Sequence, residues 1–272
     1  MSIVKGTALI TGASSGIGAV YADRLAKRGY DLILVARDTR RLTALAERIR
    51  AETGRSAEVL TADLTSKADL AGVAKRLESD GAITLLVNNA GMTDKGPLAG
   101  ANLATVDRVI DLNISAVTHF AAAAAASFSA RKTGTIINIA SVLALAPERF
   151  NATYCASKAY VLSLSQTLNT ELSGSGVRVQ AVLPGATKTE IWERAGIDPS
   201  GLPPTALMDV DDMVDAALAG LDLGEPVTIP SLPDAADYER FNASRLALGP
   251  NLSRNEPAQR YRRLGARAAA HA

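Results

Sequence analysis

Short, almost wholly apolar runs alternate along this chain with longer stretches whose apolar residues recur every three or four positions. Seven runs stand out, at 7–10, 31–36, 58–61, 83–87, 135–139, 177–183 and 226–229. A strand covered on one face alternates polar and apolar residues. These runs are nearly continuous, so both of their faces are buried. The spacing between them predicts helices after Gly18, through Val20, Leu25 and Ala26, and over 39–53, 67–79, 102–130, 151–173 and 209–221. In the helix at 39–53, Leu42, Leu45, Ala46 and Ile49 share one face. Strands separated by helices imply an α/β fold: a doubly wound, three-layer arrangement with a seven-stranded parallel sheet and right-handed crossovers. Such sheets bind ligands beyond the carboxyl ends of their strands, where the winding reverses. The loops after the first, fifth and sixth strands fall on that edge.

Composition narrows the function classes. With 272 residues and 47% hydrophobic content, the chain can bury one large core. We expect one domain over 1–231, followed by a helical C-terminal extension over 232–272, packed on or between subunits. The extension mixes Arg240, Arg245, Arg254, Arg260, Arg262, Arg263 and Arg267 with Leu246, Leu248, Leu252 and Leu264, the pattern of amphipathic helices. The formal net charge is +1, from 29 basic and 28 acidic residues, which predicts neither a nucleic-acid nor a membrane surface. No run approaches the ~20 apolar residues of a membrane span, and residues 1–10 lack a secretory pattern, so a cytoplasmic protein is expected. Cys155 is the only cysteine, which excludes an intramolecular disulfide and suits a reducing compartment. The two histidines are His119, read as a packed helix residue, and His271, so no metal site is expected.

Two motifs carry chemistry. Thr11-Gly12-Ala13-Ser14-Ser15-Gly16-Ile17-Gly18 joins the first strand to the first helix. Glycines at the mouth of a helix let backbone approach a pyrophosphate, and the helix N-terminus favours its charge. Tyr154 and Lys158 are one helical turn apart and share a face, with Ser141 upstream after the fifth strand. A phenol has an ordinary pKa near ~10, and an ammonium beside it favours the phenolate. The trio is therefore a proton-transfer device without a histidine.

These motifs, with Asp63, Asn88-Asn89-Ala90-Gly91, Asn113 and Pro184-Gly185 in order, resemble the short-chain dehydrogenase/reductase family of the Tyr-x-x-x-Lys type, whose fold is of the Rossmann kind. The resemblance covers about residues 5–230. It implies Tyr154 as general acid in carbonyl reduction and base in alcohol oxidation. Lys158 would lower the tyrosine pKa and hydrogen-bond the nicotinamide ribose. Ser141 would orient the carbonyl, and Asn113 would hold a water linking Lys158 to solvent. Gly12, Ser14, Ser15, Gly16, Ile17 and Gly18 would cradle the dinucleotide. Asp63 and Leu64 would border the adenine, and Asn89 and Gly91 would line the cofactor channel. Pro184, Gly185, Thr187 and Thr189 would complete that channel, with Tyr154 and Lys158 touching the cofactor as well. Asn88 reads as a bond between neighbouring strands.

Arg37, at the end of the second strand, can grip a ribose 2′-phosphate, with Arg40 and Arg41 nearby, so NADP(H) is expected over NAD(H). Asp38 is the alternative, reaching an unphosphorylated ribose. Val142, Leu143, Leu145, Phe150, Ile191 and Trp192 are mostly apolar and would wall a pocket for a hydrophobic ketone or secondary alcohol. Glu148 and Arg149 read as surface. Gly196, Gly201 and prolines 199, 203 and 204 suggest a lid closing over the cofactor. The alternatives are 3-oxoacyl-thioester reduction and a catalytically silent dinucleotide-binding redox sensor. The partner expected is a small carbonyl or alcohol substrate. Assembly as a homodimer or homotetramer is implied, through the helices at 102–130 and 151–173.

Overall fold

The computed structural model describes residues 5–261 and divides into two units, at Ser231 and Leu232. In the first unit, β1 (Thr7–Thr11), α1 (Gly16–Lys27), β2 (Asp31–Ala36), α2 (Thr39–Thr53), β3 (Ala57–Thr61), α3 (Lys67–Ser79) and β4 (Ile83–Asn88) follow one another. Next come α4 (Leu103–Ile110), a π-helical turn (Asp111–Ala116), α5 (Val117–Arg131), β5 (Gly134–Ile139), α6 (Ala152–Glu171) and β6 (Val177–Val182). A short α7 (Ile191–Arg194), α8 (Val210–Leu223) and β7 (Val227–Thr228) complete it. The strands form one seven-stranded sheet in the order β3-β2-β1-β4-β5-β6-β7, every recorded pair parallel. The winding reverses between β1 and β4, as the doubly wound reading requires.

Pleating sends successive side chains to opposite faces of the sheet. Ala8 and Ile10 of β1 join a core with Tyr21 and Leu25 of α1, Leu42 of α2 and Met213 and Leu218 of α8. Leu9, between them, joins the opposite core with Leu70 and Leu77 of α3 and Phe120 and Phe128 of α5. A third cluster sets Val161 and Leu162 of α6 against Ala181 and Leu183.

The helix expected over 102–130 is interrupted by the π turn, in which Asn113 is buried. Among the described residues, Leu103–Arg131 is also the one helical run long and apolar enough to cross a membrane by length and composition, contrary to the sequence reading. Six successive alanines keep it apolar, and Phe120, Ala121, Ala123, Ala124 and Phe128 spend that apolarity in the core beneath the sheet. His119, read as packed, is exposed on α5. Strand seven is trimmed to Val227–Thr228. The second unit carries α9 (Ala235–Leu246) and α10 (Gly249–Leu252), with no buried residue in either. Arg262, Arg263, Leu264, Arg267 and His271 lie outside the described residues.

Candidate active site

The glycine turn is shaped by close backbone approach. A Cβ on Gly18 would stand 2.3 Å from the Gly12 carbonyl oxygen, so only glycine fits. Gly16 has φ +53° and opens α1. Ser15, the N-cap, makes no side-chain cap, so the amides of the first turn are not spent on it. Thr11 Oγ1 accepts from the amides of Asn89 and Ala90, and Asn89 Nδ2 donates to the carbonyls of Thr11 and Gly12. The turn is thus braced from the end of β4. These residues fit a dinucleotide: a narrow backbone cradle with a helix N-terminus beside it.

At the end of β2, Arg37 is exposed and donates no recorded hydrogen bond within the described residues. Asp38 caps α2 by accepting from the Arg41 amide at 2.9 Å through Oδ1, while its side chain stays 44% exposed. Asp63 accepts from the amide and hydroxyl of Thr65, and these bonds hold its carboxyl below the usual range. Leu64 is buried beside it.

Asn151 caps α6 by accepting from the Tyr154 amide at 2.9 Å, and so fixes where that helix starts. Tyr154 and Lys158 then fall on one face, with Lys158 Nζ 5.6 Å from the phenol ring centroid. Nζ donates to the Ile139 carbonyl at 2.9 Å, at the end of β5. Ser141 follows β5, accepts from the Leu143 amide at 3.2 Å and lies within reach of the phenol. Phe150 meets the Tyr154 ring edge-on, centroids 5.7 Å apart.

Asn113 is held on three sides. Its Oδ1 accepts from the Met92 amide, and its Nδ2 donates to the Met92 carbonyl and to Ser157 Oγ. Ser157 in turn donates to the Tyr154 carbonyl at 2.7 Å. Both amide protons of Asn113 are therefore taken. Oδ1 accepts one of the two bonds it can take, so a second acceptor site remains on the side chain. Gly91 lies between, since a Cβ there would meet Asn113 Oδ1 at 3.4 Å and Lys158 Nζ at 3.6 Å.

The electrostatics differ from the sequence reading. Burial pushes the Tyr154 phenol up to about 12, opposed by the Ser141 hydroxyl, and Lys158 is not among the causes. Burial lowers Lys158 to about 8. Burial works against ionisation of the phenol and the Ser141 hydroxyl works for it.

Pro184 is buried after β6, and its carbonyl accepts from the Val142 amide at 3.0 Å. Gly185 and Thr187 form a tight turn, Thr187 Oγ1 donating to the Gly185 carbonyl. The Thr189 methyl lies 3.2 Å from where a Gly16 Cβ would be. Trp192 donates to the Thr187 carbonyl and lines a cavity of about 610 Å³ with Ile197, Pro199 and Leu207. Ile191, Val142, Leu143 and Phe150 do not line it, and of these Phe150 packs against Tyr154 instead. Glu148 and Arg149 are exposed, and Asn88 bonds Asn138 across β4 and β5. Asn151 and Ser157 were not singled out from sequence, although an asparagine three residues before Tyr154 is a capping signal.

Comparison with known proteins agrees with this arrangement. A short-chain dehydrogenase from Sphingobium yanoikuyae, solved in complex with NADPH, superposes with a TM-score of 0.91 at 52% identity, covering 93% of this chain and 98% of its own. The bulky-bulky ketone specific alcohol dehydrogenase of Comamonas testosteroni gives 0.88 at 46%, covering 95% and 99%. Galactitol 2-dehydrogenase of Agrobacterium fabrum is 34% identical over 195 residues, 71% of this chain and 75% of its own. The profile described as short chain dehydrogenase matches residues 6–199, the stretch holding the glycine turn, Asn113, Ser141, Tyr154 and Lys158. With sheet order, motif order and sequence in agreement, the chain belongs to the short-chain dehydrogenase family of oxidoreductases.

Proposed function

We propose that the protein is an NADP(H)-dependent oxidoreductase that interconverts hydrophobic ketones and secondary alcohols. The observation that carries this reading is the gathering of Ser141, Tyr154 and Lys158 beside the glycine cradle, with an exposed Arg37 at the end of β2. The nicotinamide supplies or takes the hydride. Gly12, Ser14, Ser15, Gly16, Ile17 and Gly18 hold the pyrophosphate, Arg37 holds the 2′-phosphate, and Asp63 and Leu64 border the adenine. Asn89, Gly91, Pro184, Gly185, Thr187 and Thr189 line the rest of the channel.

In the reducing direction Ser141 hydrogen-bonds the carbonyl oxygen and Tyr154, protonated at neutral pH, gives it a proton. In the oxidising direction the phenolate takes that proton back. Lys158, fixed by Ile139 on one side, has donors left for a ribose and for the phenolate once it forms. Phe150, Val142 and Leu143 near Tyr154, with Ile191 and Trp192 from the segment after β6, set the preference for apolar groups. The ketone specificity named for the Comamonas testosteroni enzyme supports that preference.

The test is a panel of ketones, secondary alcohols and acetoacetyl thioesters, with both cofactors, read by nicotinamide absorbance. Tyr154→Phe should lower kcat about a thousandfold while leaving NADPH affinity within about twofold. A wild-type chain silent on the whole panel, or as fast with NADH as with NADPH, refutes the reading.

A further inference from the structure

One carboxylate joins three stretches that are far apart in sequence. Glu190 accepts from Arg41 Nη1 through both its oxygens, at 2.8 and 2.7 Å. Arg194 Nη2 donates to the same carboxylate at 2.6 Å and to Ser15 Oγ at 3.1 Å. Arg41 Nε faces Asp38 at 3.5 Å. Thr189, the neighbour of Glu190, presses on Gly16. The glycine turn, the start of α2 and the segment after β6 therefore meet around Glu190. The guanidinium of Arg41, then that of Arg194, holds its carboxyl below the usual range, so the group is charged at neutral pH.

Nothing in the core depends on this knot. The side chains of Arg41, Glu190 and Arg194 are 39%, 40% and 56% exposed. An exposed ion pair adds little to global stability. It can still decide between two arrangements of a surface segment whose free energies lie close together. The segment it ties down is made of short pieces. After α7 come single 3-10 turns at Pro199–Gly201 and Pro204–Ala206, and no residue of those three elements is buried. The places it is tied to are the glycine turn and the end of β2, which on the reading above receive the pyrophosphate and the adenosine ribose.

We propose that Glu190 is a positioning residue: with Arg41 and Arg194 it forms a clasp that fastens segment 186–208 over the dinucleotide pocket and slows release of the cofactor. The proposal rests on the nicotinamide-cofactor reading. The clasp acts through the segment and not through the 2′-phosphate, so it retains phosphorylated and unphosphorylated dinucleotides alike. A carboxylate that merely tuned the charge of Arg41 would change their ratio.

The test compares the full-length chain with Glu190→Gln, Arg41→Gln and the double variant. Hydrogen exchange over 186–208, without cofactor, should quicken about fivefold in each single variant. It should be little faster again in the double variant, because all three lose one shared contact. Release of NADPH and of NADH, followed by stopped-flow nicotinamide fluorescence, should both quicken about fivefold in Glu190→Gln. Unchanged exchange in Glu190→Gln overturns the clasp. Faster exchange with unchanged release of either cofactor overturns its role in retention. Slower NADPH release with NADH unaffected assigns Glu190 to charge tuning instead. A wild-type chain that binds neither dinucleotide overturns the cofactor reading itself, which separates that failure from failure of the clasp alone.

Discussion

Lys158 is an amine held against its preference for water, and the consequence is a pH dependence of stability. Its folded value, about 8, lies below the ordinary 10.5. Between those values the unfolded chain binds a proton that the folded chain has lost, so stability rises with pH across the window. Below it the buried cation costs stability. Tyr154 works in the opposite sense. With its value raised from 10 to about 12, the unfolded phenol ionises first and stability falls over that range. Lys158→Met removes the first effect. Its melting midpoint should equal or exceed the parent's at pH 7, and the difference should shrink as pH rises from 8 toward 10, while turnover is lost. A midpoint several degrees lower at pH 7 would show that the bond to Ile139 outweighs desolvation. Sequence identified the residue types here but not these directions. Charge proximity could be read from a spacing of four residues, whereas the burial of Lys158 comes from packing that no spacing reveals.

Among the elements, the π turn at Asp111–Ala116 separates what was legible from what was not. The seven strands were visible because each is a continuous apolar run. The helices were visible because their apolar residues recur at helical spacing. A wider turn within such a helix changes neither signal, so 102–130 read as one piece. Its anchor is Asn113, whose three hydrogen bonds to Met92 and Ser157 are made across the fold. π-helical turns are often found at functional sites. Asn113→Ala should cost about 2 kcal/mol by leaving the half-buried Met92 backbone groups and the buried Ser157 hydroxyl short of a partner, measured by urea unfolding. Turnover should fall further than this loss explains, because Met92 and the start of α6 lose a common tether. The segment after β6 was the other opaque stretch. Its prolines and glycines announced a loop, but the pairing of Glu190 with Arg41 spans 149 residues and leaves no local trace.

Across the whole molecule, every candidate site residue lies within 1–231, and no described side chain of 232–261 is buried. A chain ending at Ser231 should therefore melt cooperatively and bind NADPH within about threefold of the full chain, by calorimetry and fluorescence titration. Failure to fold would make the extension part of the sheet unit's stability. The two rims of the sheet are guarded differently. One ends in a strand of only two residues, Val227–Thr228. The other, β3, exposes Glu58, held by Arg76 at 2.9 Å. Brevity on one side and charge on the other deny a neighbouring polypeptide a long row of free backbone donors and acceptors. Copies of this protein that crowd together are thus steered away from fibre-like stacking.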